Sequence, residues 1–323
     1  MPASQLPSTT AMCSQEGCTM LARTVLGSVE LDPARAVLPH EHLVIDYNQK
    51  EGRASPPLKE TEDACVEALQ ELPSLGIQAI VDCTPPGYGR DLAFLRQVSS
   101  RSGVHIIAST GTFCEQWSPQ PSWAQKASVQ ELVDAFTAEI DRGCGVIKVA
   151  TSHGTASDNE IKALKAAALT HRGTGVPIVS HTTGSLGLEQ VLMYEELGVE
   201  LSKVLISHVC ADEEPIDYAL AIARRGAYVG LDRIGHASHP DKHWISIIQR
   251  FLDEGLENKV LLSHDSVQTF AGPDAIAGHT FRNIRHLPTT FHKNATCAGI
   301  TENTLRQLTV HNPLRWLEPN RVS

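Results

Sequence analysis

The sequence has no CxxC pair, no internal repeat, no basic cluster and no apolar run of the ~20 residues needed to span a bilayer. Each absence removes a class of function. Without a membrane-length run the chain is not read as membrane-spanning. A formal net charge of -10 with no basic patch argues against nucleic acid and anionic lipid surfaces as partners, leaving a small molecule as the expected one. The eight cysteines are scattered, and several, such as Cys83 and Cys144, lie in or beside apolar strands as ordinary buried thiols. Cys13 and Cys18 have no obvious partners. Residues 1–20 are polar and Ser/Thr-rich, with neither a basic n-region nor an apolar h-region. They are expected to form a flexible tail ahead of a single domain over 21–323, in a cytoplasmic chain.

What the chain does contain is alternation. Short apolar runs recur at 36–45, 77–83, 104–110, 145–150, 176–181, 204–209, 227–232 and 260–265. Amphipathic stretches follow at 58–75, 90–101, 128–142, 158–172, 185–198, 214–225, 241–255 and 302–317. Helix starts are marked at Ser157-Asp158 and Asp212, and helix ends at Gly76, Gly173, Gly198, Gly226 and Gly255. Eight strand–helix units predict parallel strands in a closed α/β barrel, the (β/α)8 TIM-barrel class. The alternative, an open doubly wound sheet, would gather polar groups at one switch point. An extra strand is expected at Leu26–Glu30. The long connection Ser266–Ile300 holds Gly272, Pro273, Gly278 and Pro288 and reads as a lid or pocket wall.

Polar residues sit at the ends of five of these strands: His40 and His42, Lys148, His181, His208 and Asp265. An apolar interior does not accept such groups unless they are paired or bound to a metal. Strand alternation points His40 and His42 the same way and turns Glu41 aside. An HxH pair alone is weak evidence, and His181 and His208 singly could be ordinary core histidines. Lys148, flanked by Val146, Ile147, Val149 and Ala150, should be buried; the plain alternative is a lysine that reaches the strand end and pairs with an aspartate. Asp265 can bind a metal, accept a proton or cap a loop. Its neighbour His264 should face the helix layer in a structural role. Taken together, the set points to a metal centre at the barrel mouth.

Further segments run the length of the chain: RTVLG at 23–27, HEHL at 40–43, GIQAIVDCT at 76–84, GRD at 89–91, TG at 110–111, GVIKVAT, HTTGSLGLEQ, GLDRIG at 230–235, SHDS and NPLRWL at 312–317. This combination resembles the phosphotriesterase branch of the amidohydrolase superfamily. The resemblance implies an amidohydrolase-type barrel with a binuclear centre. His40, His42 and Asp265 would hold the more buried metal, and His181 and His208 the more exposed one. A carbamylated Lys148 and a hydroxide would bridge the two. The metals implied are two divalent ions, commonly zinc. Asp265 would take the proton of the attacking water, and Asp232 resembles the family's relay residue, although a salt bridge with Arg233 is its simpler role. Family members are often dimers, which implies a homodimer.

Substrate is less legible. Arg233 resembles lactonase-like members and favours a lactone or carboxylate-bearing ester, with weak phosphotriesterase activity as a by-product. Such members usually carry Tyr shortly after the Thr-Gly of strand three, where this chain has Thr112-Phe113. Phe113 and His236 are the substrate-pocket candidates, and Trp117 and Trp123 are candidate walls. His153, His239 and His243 are equally at home as solvated loop residues, and His171 as a structural one. The alternatives are a dedicated phosphotriesterase (aryldialkylphosphatase), an N-acyl amide hydrolase, and a catalytically silent binding protein on the same fold.

Overall fold

The computed structural model describes residues 21–47, 59–182, 184, 186–211, 214–271 and 281–318. The chain enters through an antiparallel hairpin, β1 (Leu21–Thr24) and β2 (Gly27–Glu30), turned at Gly27 with φ 112°. The strand expected from Leu26 is thus the second arm of this hairpin. The expected barrel strands then appear in order: β3 (Ala36–Asp46), β4 (Ile77–Asp82), β5 (His105–Gly111), β6 (Cys144–Ala150), β7 (Ile178–His181), β8 (Val204–Ser207), β9 (Tyr228–Leu231) and β10 (Val260–Leu262). A further strand, β11 (Ser266–Ala271), follows. All nine pair in parallel in the order β10-β9-β8-β7-β6-β5-β4-β3-β11. The sheet curls so that the Asp265 amide, just past β10, donates to the His40 carbonyl of β3 at 3.0 Å.

Between the strands lie α1 (Lys59–Leu69), α2 (Leu92–Ser102), α3 (Ser122–Lys126), α4 (Val129–Asp141), α5 (Asp158–Thr174), α6 (Gly187–Glu196), α7 (Ile216–Arg224) and α8 (Asp241–Asp253). Their starts follow local chemistry. Ser128 and Ser157 each cap a helix through a reciprocal pair with Glu131 and Glu160. One expected stop moves: Gly173 lies within α5, and Gly175, at φ 72°, ends it. Gly173 lacks the left-handed backbone that a helix terminus demands of glycine. No helix among the described residues is long and apolar enough to cross a membrane.

Two apolar layers position the site. Between sheet and helices pack residues such as Leu38, Ile80, Ile147, Ile206, Trp244 and Phe251. Inside the curl lie Val37, Val81, Ile107, Val146, Val179, Leu205 and Leu261, with Leu314 and Trp316 from the last helix (Asn312–Leu317) in the same cluster. Period-two alternation carries this interior face onward. Val146 leads to Lys148, Val179 to His181, and Tyr228 past Gly230 to Asp232. At Gly230 an added Cβ would lie 2.8 Å from Asp232 Oδ2, so a side chain there would displace the carboxylate.

The long connection after β10, expected as a lid or pocket wall, carries regular structure at both of its described ends. It begins as β11, which pairs Ser266 with Glu41 and Val267 with His42, and continues after 281 into a helical turn at Leu287–Phe291 and a helix at His292–Cys297. Gly272, Pro273 and Gly278 lie outside the described residues, as do the N-terminal tail with Cys13 and Cys18, and the cap position Asp212.

Candidate metal centre

β3 delivers His40 and His42 to one face, their ring centroids 5.4 Å apart. Nδ1 of His40 lies 2.7 Å from Asp232 Oδ2, which leaves Nε2 turned toward Lys148 Nζ at 3.0 Å and Asp265 Oδ1 at 3.6 Å. Nδ1 of His42 lies 2.8 Å from Thr84 Oγ1, which leaves Nε2 at 3.2 Å from Asp265 Oδ1. Nδ1 of His208 lies 2.9 Å from Asp232 Oδ1, whose carboxylate also accepts the His208 amide at 2.8 Å. His181 packs edge-on against His208, with centroids 4.4 Å apart. The expected residues of β3, β6, β7 and the ends of β8 and β10 therefore converge.

The donors suit a divalent cation. Ligating atoms of His40, His42 and Asp265 all lie within 4.8 Å of one another, and so do those of His40, His208 and Asp232. Burial, then Lys148, pushes His40 down to about 4, against the pull of Asp232. Burial, then His208 and Lys148, holds His181 well below its usual value. Burial alone would raise Asp232 and Asp265, but their histidine partners outweigh it and hold both well below the carboxylate range. A neutral imidazole at His40 and at His181 and ionised carboxylates at Asp232 and Asp265 are protonation states that metal ligation requires. Lys148 completes the fit. It is 0% exposed, its amine forms no ion pair with a carboxylate among the described residues, and its neighbour is an imidazole nitrogen. The alternative in which it reaches out to an aspartate does not hold.

Asp232 has no salt bridge with Arg233 among the described contacts; both its oxygens face histidines. Arg233 instead places Nε 3.7 Å from Asp265 Oδ2 at the mouth. His236 turns Nε2 to the His264 carbonyl at 2.6 Å, so that nitrogen is committed to the wall. His243 Nε2 meets the Cys210 carbonyl at 3.0 Å, and His239 stacks near it. His153 packs against Gly184, where a Cβ would lie 3.0 Å from Nδ1.

Phe113 packs edge-on to His181 at 5.1 Å, and Tyr47 stacks on Phe113 at 5.9 Å and 24°. Tyr88 and Phe270 flank Tyr47 at 6.2 and 5.6 Å. Trp117 and Trp123, 38% and 41% exposed, take no part in this stack. Sequence reasoning missed Tyr47, Tyr88, Phe270 and Thr84. The available signal for Tyr47 and Thr84 was their position just past β3 and β4, where an α/β barrel builds its site.

A match to the phosphotriesterase family covers residues 20–317. The chain belongs to the phosphotriesterase family. The phosphotriesterase homology protein of Escherichia coli (strain K12) is 31% identical over 300 residues, covering 90% of this chain and 100% of that one. An aryldialkylphosphatase of Saccharolobus solfataricus is 30% identical over 74% of this chain and 79% of its own length. The N-acetyltaurine hydrolase of Mus musculus is 26% identical over 91% and 97%. Among solved structures, an organophosphate-hydrolysing enzyme engineered from a weak promiscuous lactonase superposes with a TM-score of 0.82 at 30% identity, covering 92% of this chain and 100% of that chain. Membership of the phosphotriesterase family, with hydrolases among its relatives, makes this chain a hydrolase.

Proposed function

We propose that this is a binuclear-metal hydrolase of a lactone or related carboxylic ester, built on a (β/α)8 barrel of the amidohydrolase type. His40, His42 and Asp265 would hold one divalent cation and His181 and His208 a second, with a carbamylated Lys148 between them. When bound, two such cations, zinc by family resemblance, supply an acidified water and polarise the oxygen on which charge develops. The chain's own residues do the rest. Asp265, at the mouth, accepts the proton of the attacking water and passes it to the leaving alkoxide or to solvent. Asp232 holds the His40 and His208 rings by their Nδ1–H groups, which serves ring orientation better than proton relay, because both its oxygens are engaged and it is buried. Phe113 and Tyr47 provide an apolar wall against His181.

The observation that carries the ester reading is Arg233 beside Asp265. A guanidinium there favours a substrate bearing a carboxylate or developing one. The same residue supports a second reading, an N-acyl amide hydrolase whose substrate carries an acidic group, in keeping with the relative that acts on N-acetyltaurine. A kinetic panel with the zinc-loaded protein separates these. It uses an aliphatic lactone, an aryl ester, a phosphotriester and an acyl-amino acid. The lactone or aryl ester should lead in kcat/KM; if the lactone ranks last, the lactonase reading fails. Metal analysis of the same sample tests for a silent scaffold, which would hold well under one cation per chain.

A further inference from the structure

Glu41, between the two histidines of β3, points away from the centre and is fully buried. Its carboxylate is addressed by one short segment. Oε1 accepts from Ser263 Oγ at 2.8 Å, from the His264 amide at 3.1 Å and from His264 Nδ1 at 2.8 Å. Oε2 accepts from the Ser266 amide at 2.9 Å and from Ser266 Oγ. The amide between those two, that of Asp265, donates to the His40 carbonyl at 3.0 Å, and the His40 amide returns a bond to Ser263 Oγ at 3.0 Å. Three consecutive amides, 264 to 266, are thus captured by the dipeptide His40-Glu41. Asp265, the residue so pinned, has φ 53°, a left-handed conformation that a non-glycine residue keeps only where its surroundings impose it.

His264 completes the clamp. Its Nε2 accepts from the Leu287 amide at 2.8 Å, so the ring proton sits on Nδ1 and is donated to Glu41. The same ring therefore ties the start of the 287–291 turn to the strand end.

We propose that Glu41 is a positioning residue for the proposed hydrolysis: it holds the 263–266 turn in the left-handed geometry that aims the Asp265 carboxylate at the cation shared with His40 and His42. The proposal rests on the metal-hydrolase reading and deepens it. The experiment is a double-mutant cycle on the full chain, with zinc affinity measured by competition with a chromophoric chelator, and cobalt(II) absorption reporting the coordination geometry. Glu41→Gln should weaken zinc about 10–100-fold and lower kcat with KM little changed. Ser266→Ala should act in the same direction and less. In an Asp265→Ala background, Glu41→Gln should have almost no further effect on zinc affinity. A purely structural Glu41 would lower the melting temperature and leave the two losses in zinc affinity multiplicative. That result, or zinc affinity in Glu41→Gln within about twofold of the wild type (well inside the expected loss), overturns the proposal. Where Glu41→Gln does not fold, the cycle is run with Ser266→Ala against Asp265→Ala and read in the same way. A wild-type protein that binds no zinc would instead overturn the metal-hydrolase reading.

Discussion

Nδ1 of His40 and Oδ2 of Asp232 lie 2.7 Å apart, and neither residue meets solvent. The other oxygen of Asp232 takes Nδ1 of His208. One carboxylate therefore sets the orientation of two imidazoles from opposite halves of the chain. Replacement by the isosteric amide preserves shape and removes the charge. Asp232→Asn should weaken zinc by about 10–100-fold and lower kcat, while saturating zinc restores the full metal content. Chelator competition and elemental analysis measure this; a missing equivalent at saturation would make Asp232 a direct ligand.

Lys148 is buried with its amine beside the His40 imidazole and, among the described residues, forms no ion pair with a carboxylate. Lys148→Ala should remove most bound metal and cut kcat/KM by about 100-fold or more. Short carboxylic acids should restore part of the activity by supplying the missing oxygens. A Lys148→Ala protein with full activity would end the bridging assignment.

Arg233 is a quarter exposed and stands at the mouth beside Asp265. Arg233→Met should raise KM for a carboxylate-bearing ester about 10-fold, the loss expected for one charged hydrogen bond, and leave a neutral aryl ester nearly unchanged. Equal effects on both substrates would show that the guanidinium supports Asp265 rather than the substrate.

His171 tests stability apart from the site. It is buried in the last turn of α5, its Nδ1 2.9 Å from the Val176 carbonyl. Burial, above all, holds it below its ordinary value of 6.5. Between its folded value and 6.5 the unfolded chain binds the extra proton, so stability rises with pH through that window and is lost as pH falls below 6.5. His171→Gln, whose amide can still donate to Val176, should shrink the drop in melting temperature between about pH 7.5 and pH 5.5 by about 1–2 °C. An unchanged drop would assign the acid sensitivity elsewhere.

The strands were legible because each carries its own evidence. The run around Val146 and Lys148 is apolar on both sides, and alternation alone puts the lysine inside with Val146. The convergence of His40, His181 and His208 followed once the strands were counted. What failed to show was pairing at long range. β11 joins Ser266 to Glu41, residues from opposite ends of the chain, and nothing local in SVQTFA distinguishes an edge strand from an open loop. Tyr47 was hidden for the same reason, since its partners Phe113 and Phe270 come from the loop after β5 and from β11. The helix end at Gly175 rather than Gly173 reflects two nearby glycines with equal local claims. Glu41 was read correctly as turned aside, but the four-residue segment it clamps lies more than two hundred positions away.

Among the described residues, only His208, Cys210 and Asp265 adopt left-handed backbone without being glycine. Two of the three belong to the centre and the third lies two positions from His208. In descendants released from selection for turnover, glycine at 208 and 265 would relieve the backbone, set against the lost packing of His208 on His181 and its bond to Asp232. Glycine at those positions in a sister lineage would thus mark retirement of the chemistry, readable before any assay is run.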